Sequence, residues 1–344
     1  MPMAQHKNNV RMSDIARELN ISTVAVSKAL NNQKGVSEEL RARVKALAEQ
    51  MGYRSPAQMR RLQGKTDYNI GVLIHTNYLG SNDAFYWKLY QEVTARAMKK
   101  DCFVLLELLS HEDAKAHRLP KLITENKADG LIIIGKPPFD YAKALKGAWQ
   151  KPIVYLDFYD SDISADSVLS NSFYGTFLLT QYLIERGHRN IGFVGTLCAT
   201  DSITDRYLGF TKAMLEHKLP IREEWILPDR DKNTGLSIPI PLPEEMPTAF
   251  VCNCDFTAAA FIHQLQQQGI RVPMDVSVVG FDNYLTSAVP HTPLTTYSVD
   301  LHEMAHIAVR AVLKRIMGEP WKQCMHITDG QLIENGSVRD LRYP

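Results

Sequence analysis

The 344-residue sequence predicts an all-α head of short helices joined to a two-lobe α/β body with two doubly wound parallel sheets. Three observations carry that expectation. Residues 11–62 show short helical patterns, each starting at a residue suited to cap it. Beyond Lys65 the texture changes to apolar runs alternating with amphipathic helical patterns. Charge divides at the same place: residues 1–65 hold 12 Lys/Arg against 5 Asp/Glu and the remainder 27 against 33, although the whole chain is only +1.

The head is read element by element. Ser13 and Ser22 stand where a side-chain oxygen can accept from the first-turn N–H groups of two successive helices. In the second helix Ala25, Val26, Ala29 and Leu30 recur at helical spacing and form the buried stripe. Thr23, Val24, Ser27 and Lys28 are left on its outer face. A third helix begins at Ser37, has Glu38 and Glu39 in its dipole-favoured first turn, and runs through Leu40, Val44, Leu47 and Met51 to Gly52. Ser55, Pro56 and Gly64 delimit a fourth helix of about two turns, too short to be stable alone in water.

Two short helices with a tight turn form a helix-turn-helix, which sets its second helix into the major groove of DNA. The outward residues of that helix suit base edges: a hydroxyl, an apolar group for a thymine methyl, and a cation for guanine. A basic head on a mildly acidic body is the footprint of phosphate neutralisation by one domain. The short helix after Ser55 then reads as a linker that folds when DNA supports it.

In the body, strand-like runs lie at Asn69–His75, Phe103–Leu108, Gly130–Ile134, Ile153–Leu156, Ile191–Val194, Thr248–Cys252 and Val276–Gly280. Helical patterns at Phe85–Lys100, Leu119–Asn126, Tyr141–Gln150, Phe173–Arg186, Ile203–His217 and Phe256–Gln268 lie between most of them. Nearly all-apolar strands alternating with helices mean parallel sheets covered on both faces. A gap at residues 157–170 divides them into two lobes. Ligands of such folds bind at the carboxyl ends of the strands, here across a cleft.

Other classes are weakened by what the sequence lacks. No apolar run approaches the roughly 18 residues that span a bilayer, and residues 1–6 lack a signal peptide's apolar stretch, so a cytoplasmic protein is expected. Five irregularly spaced cysteines imply no disulfide framework. Cys252 and Cys254 read as buried thiols, since no Cys/His pair completes a metal site. Gly192-Phe193-Val194-Gly195-Thr196 imitates part of a dinucleotide loop without its third glycine. Asp157 and His188 are candidate acid–base groups with no accompanying nucleophile. An enzyme is therefore not expected, nor any cofactor or metal.

With these residues in view, the chain resembles the lactose-repressor (LacI/GalR) family of bacterial regulators over essentially its whole length. The head carries the resemblance in Ser13-Asp14-Ile15-Ala16, Ile21 through Asn31, and Gly35-Val36-Ser37-Glu38-Glu39. The body carries it in Gly187-His188-Arg189-Asn190-Ile191, Arg206-Tyr207-Leu208-Gly209-Phe210, Val279-Gly280-Phe281-Asp282-Asn283 and Pro293-Leu294-Thr295-Thr296. The resemblance implies a periplasmic-binding-protein-like core and a homodimeric, nucleoid-associated repressor of carbohydrate-utilisation genes. It would bind pseudo-palindromic operator DNA under the control of a small molecule. The implied domains are 1–54, a hinge at 55–65 and an effector domain at 66–344. The lobes would hold about 66–166 plus 297–324, and about 167–296 plus 325–344.

Carried over position by position, the DNA contacts fall on Ser22, Thr23, Val24, Ser27, Lys28, Asn31, Tyr53 and Arg60, with Leu62 as a minor-groove wedge. The effector contacts fall on Phe85, Tyr86, Asp157, Arg206, Asp255 and Asp282. The chain departs from the family at Ser55-Pro56, Met59 and Asp83-Ala84-Phe85-Tyr86. It also has Cys254-Asp255 where Asn-Asp is usual, and prolines at 239, 241, 243 and 247 where the family has a helix. Carboxylates among aromatic rings suit a sugar; a nucleobase or nucleoside is the rival ligand. A sugar-binding protein without a DNA-binding role is the rival of another class. Arg206 and Asp282 either hold the ligand or satisfy one another.

Overall fold

Three helices form in the head because their caps and apolar faces agree: α1 (Met12–Leu19), α2 (Thr23–Leu30) and α3 (Glu38–Gln50). Ser22 Oγ accepts from Ala25 N at 3.1 Å, and Ser37 Oγ from Leu40 N at 3.3 Å. Ser13 is not a cap. The first helix begins two residues earlier than a Ser13 cap would set it, and Asp14 closes its start by accepting from Arg11 N at 2.8 Å. Ile15, Ala16, Val26, Ala29, Val44 and Ala48 make the head's core, with Leu30 and Tyr53 packed at its rim.

The computed structural model describes residues 10–30, 35–53, 68–79, 84–160, 165–232, 235–284, 293–319 and 322–343. Asn31, Arg60, Leu62 and the short helix expected after Ser55 lie outside the described residues. The head forms one unit and the two-sheet body another.

In the body's first lobe, β1 (Asn69–His75), β2 (Phe103–Leu109), β3 (Gly130–Ile134), β4 (Ile153–Leu156) and β5 (Asp166–Ser170) alternate with four helices. These are α4 (Ala84–Met98), α5 (His111–Lys115), α6 (Lys121–Thr124) and α7 (Phe139–Ala148). The second lobe begins with α8 (Ser172–Glu185), β6 (Ile191–Val194), α9 (Asp201–Glu216) and β7 (Ile226–Leu227). It continues with β8 (Ala249–Cys252), α10 (Asp255–Gln267), β9 (Ser277–Asp282) and β10 (Thr295–Ser298). The chain then returns through α11 (Leu301–Met317) and β11 (Met325–Thr328), and β12 (Gln331–Ile333) follows in the second lobe.

The sheet orders are β11-β5-β4-β3-β1-β2 and β12-β10-β9-β8-β6-β7. Every pairing is parallel except β12 with β10, an antiparallel edge that the sequence pattern did not announce. The chain crosses between lobes after Ser170, after Ser298 and between Thr328 and Gln331. Expected lobe limits at 166, 296 and 324 fall two to four residues short of these points. Strands β5, β10 and β11 each run on a little further before the chain changes lobe. In each sheet the order reverses beside the first strand of the lobe, at β1/β3 and at β6/β8. Carboxyl strand ends at such reversals leave a crevice.

Apolar packing holds the helices to these sheets. Leu73, Leu131, Ile133, Tyr141, Leu145 and Tyr155 fill one face of the first sheet. Phe250, Phe261, Ile262, Leu265 and Val278 do so in the second. Segment 236–248 forms no helix, as its prolines require. Ile240 anchors it instead, buried in the second core while Gln264 Oε1 accepts from its N–H at 3.1 Å and Gln264 Nε2 donates to its carbonyl at 2.6 Å. No helix among the described residues is long and apolar enough to cross a membrane.

One glycine decides how α9 sits. A Cβ at Gly209 would stand 2.0 Å from the carbonyl oxygen of Phe173, so only glycine lets α9 lie this close to α8. The replacement Gly209→Ala is expected to cost about 1–3 kcal/mol in chemical denaturation, the usual price of overpacking. An unchanged midpoint would show that the two helices separate without penalty.

Candidate functional site

On the head, α2 presents Ser22, Thr23 and Val24 to solvent, with Val24 62% exposed although it is apolar. Val26 and Ala29 are fully buried on the opposite side, whereas Ala25 and Leu30 of the expected stripe are half-buried. Ser27 and Lys28 are half-buried beside the outward face. Tyr53 lies against the head core, and burial raises its phenol pKa, so its ring has a packing role.

In the body, the carboxyl ends of β4, β8 and β9 gather the other expected residues. Asp157 follows β4 with φ 67°, and its Oδ2 accepts from Tyr86 Oη of α4 at 3.0 Å. Tyr86 lies beside Tyr78, with ring centres 4.8 Å apart, and meets Phe85 edge-on. Phe85 is 6% exposed and reaches across the cleft to the ring of Tyr284, which follows β9. A second link between the lobes is Lys136 Nζ to Asp201 Oδ2 at 3.0 Å.

Arg206 projects from α9 and is almost completely buried. Its Nη2 donates to Asp282 Oδ1 at 3.2 Å, Nη1 to the Asn253 carbonyl at 2.6 Å and Nε to Ser172 Oγ at 3.3 Å. Its guanidinium carbon lies 3.9 Å from the centre of the Phe281 ring. The two charges pair with one another, through a single oxygen of Asp282. Asp282 holds φ 103°, a conformation costing a non-glycine residue about 1–3 kcal/mol. Such strain persists where surrounding contacts over-determine the residue, as Arg206 does here.

Asp255 has a different part. It is 1% exposed, and its oxygens accept from Thr296 Oγ1 at 2.6 Å and Tyr284 N at 2.9 Å. A Cβ at Gly280 would collide with this carboxylate at 2.2 Å, so β9 needs glycine there to admit it. Asp255 thus fastens the turn after β9 that carries Tyr284, rather than lining the cleft. The usual amide is absent at Cys254, but Asn253 is buried one place earlier and its Nδ2 donates to Asp229 Oδ2 at 2.8 Å.

Burial dominates the electrostatics. It lifts the Asp157 carboxyl to about 6, with Arg206 and the Tyr86 hydrogen bond acting against it. Burial likewise lifts Asp255 to about 7, and raises Asp205 with help from neighbouring Asp201. A small cavity of about 20 Å³ lies here, lined by Asp157, Tyr159, Ser172, Asp201 and Asp205 among others. Near β7 the balance reverses. Burial opposes the charge of Asp229, yet Arg230, Asn253 and Thr257 hold its carboxyl at about 2.

The groups that suggested acid–base or cofactor chemistry are engaged within the fold. His188 is buried, with its ring nitrogens 2.9 Å from Thr248 Oγ1 and 3.1 Å from the Arg339 carbonyl, and desolvation lowers its pKa. In the glycine-containing loop after β6, Thr196 N donates to Asp229 Oδ1 at 2.9 Å, so this chain's own carboxylate occupies that N–H. Cys252 is buried, and Cys254 Sγ accepts from Thr257 N at 3.4 Å as the cap of α10. Arg230, bonded to Asp229 and Asn253 beyond β7, is not singled out by the sequence. Only its place after a strand end could have marked it.

Comparison with known proteins agrees with this geometry. Residues 11–55 match the model of bacterial regulatory proteins of the lacI family, and residues 180–338 match a periplasmic binding protein-like domain. A repressor named PurR from Pectobacterium carotovorum is 30% identical over 341 residues, covering 96% of this chain and 98% of that protein. The ribose operon repressor of Haemophilus influenzae is 28% identical, covering 89% and 91%. Among solved structures, the lac repressor dimer bound to operator and an anti-inducer superposes with a TM-score of 0.64 at 21% identity, covering 96% of this chain and all of that one. A CelR–cellobiose complex gives 0.66 at 19% identity with the same coverage.

Asp157 supplies a pH test. Its folded pKa is raised, so its stabilising contribution is complete below about pH 4 and is lost as pH rises through about 6. Asp157→Asn should therefore gain on the wild type between pH 4 and 7, by up to about 3 kcal/mol. Melting curves across that range check it; a difference independent of pH would contradict the burial of this charge.

Proposed function

Because the chain belongs to the lacI family and is a DNA-binding transcriptional repressor, we propose that it works as a homodimer on a pseudo-palindromic operator, controlled by a sugar held between its lobes. The supporting observation is that fixed carboxylates and aromatic rings converge at the strand ends. Asp157 is held by Tyr86, Asp282 by Arg206, and Phe85 lies against Tyr284. Ionised carboxylates accept hydroxyl protons, and ring faces cover the C–H side of a sugar. Phe85, Tyr86, Asp157 and Asp282 are the proposed contacts; Arg206 and Asp255 position them. Thr23, Val24, Ser27 and Lys28 read bases, Ser22 orients the reading helix, and Asn31, Tyr53 and Arg60 support the backbone contacts. Leu62 is the minor-groove wedge.

A sugar alters repression only through unequal affinity for two lobe arrangements. The contacts Lys136–Asp201 and Phe85–Tyr284 bridge the lobes, so a ligand between them changes the same spacing. Titration with neutral hexoses and disaccharides against purine bases separates the sugar reading from its nucleobase rival. Heat of binding from purines alone would overturn it.

The head makes its own forecast. Operator affinity should fall about 10³–10⁵-fold between 50 and 200 mM salt if six or more phosphates are contacted. Lys28→Ala should cost about 1–3 kcal/mol on the operator and relax preference at one base pair of each half-site. Gel-shift titrations on operator and on scrambled DNA measure both. An equal loss on the two DNAs would make Lys28 a phosphate contact.

A further inference from the structure

Arg230 lies just beyond β7, in the part of the second lobe where prolines replace the family's helix. Its Nε and Nη2 donate to the carboxylate of Asp229 at 2.7–3.2 Å, and Nη2 also reaches Asn253 Oδ1 at 3.4 Å. Asp229 is itself a fixed anchor. It is 5% exposed and accepts from Thr196 N, Asn253 Nδ2 and Thr257 Oγ1 at 2.8–2.9 Å. Three neutral donors thus already serve the carboxylate without Arg230.

The consequence is a guanidinium with one edge clamped and the other open. About 23% of the Arg230 side chain remains accessible, and among the described residues its Nη1 makes no hydrogen bond. Arg230 follows the carboxyl end of β7 and its Nη2 reaches the side chain of Asn253 beyond β8, whose carbonyl accepts from Arg206, so Arg230 stands among the strand ends that face the cleft. A long cation normally loses side-chain entropy when it grips a ligand; one already held by a buried carboxylate has lost it on folding. A charged N–H donor held in a fixed place makes a stronger hydrogen bond to the oxygen of an acid than to a hydroxyl.

Resting on the sugar reading above, we propose that Arg230 recognises an anionic oxygen, a carboxylate or a phosphate, on the sugar bound in the cleft. Its Nη1 donates to the acid group, while the hydroxyls of the same ligand donate to Asp157 and Asp282. The ligand is then read by polarity, with acceptors towards β7 and donors towards β4 and β9.

Calorimetric titration of the full chain tests this with glucuronate, galacturonate and mannuronate, their parent hexoses, the hexose 6-phosphates, and hypoxanthine. At least one acidic sugar should bind about tenfold or more tightly than its parent hexose, and Arg230→Gln should erase that preference. Uronate and phosphate arms identify which acid is recognised. Melting checks the fold of Arg230→Gln. Should it fail to fold, Arg230→Lys keeps a cation beside Asp229 without a second edge, and should still lose most of the preference. Parent hexoses binding as well as every acid, or a preference untouched by either variant, would overturn the role of Arg230 and leave the sugar reading standing. Binding of hypoxanthine alone would overturn both.

Discussion

A guanidinium withdrawn from water must be met by acceptors on every side, and Arg206 arranges the second lobe around that demand. Leaving a buried charge unpaired costs several kcal/mol, so the groups facing Arg206 cannot drift. Ser172 belongs to α8, the Asn253 carbonyl follows β8, and Asp282 ends β9. One side chain therefore ties three elements to the helix that bears it. Gly209, one turn further along α9, sets how near that helix lies to α8. Asp282 keeps its strained backbone because the ion pair and the flanking strands leave it no alternative.

The cleft inherits its polarity from these supports. Asp157, whose pKa burial has raised, faces it from β4, and an acid held low by its donors stands behind Arg230 after β7. Groups of both signs are thus locked before a ligand arrives, which limits the reorganisation that binding would otherwise require. The contacts Lys136–Asp201 and Phe85–Tyr284 depend on residues that follow strand ends or sit in the first turn of helices.

Legibility in the sequence followed the physics of each element. All seven apolar runs became strands, because an apolar run between helices has few other ways to bury itself. Strands β5 (Asp-Ser-Val-Leu-Ser) and β10 (Thr-Thr-Tyr-Ser) were missed, since buried hydroxyls and carboxylates with internal partners look like loops. Asp166, for example, is buried with Arg315 and Cys324 N among its partners. Helix α11 went unnamed although it is long. Within the site, motif residues such as Arg206 and Asp282 were legible, but their mutual engagement was not. Arg230 escaped notice because its importance lies in Asp229, Asn253 and Thr257, which converge only in space.

The grip of Gln264 on Ile240 has a consequence for how such a regulator diversifies. The loop is fastened at separate points, by Gln264 on Ile240, by Trp225 Nε1 donating to the Glu245 carbonyl at 2.8 Å, and by Leu242 and Met246 packed on the core. Residues between those points can then vary across generations while the apolar packing of the sheet is inherited intact. For an engineer the same corner is the natural place to randomise when a biosensor for a new metabolite is wanted.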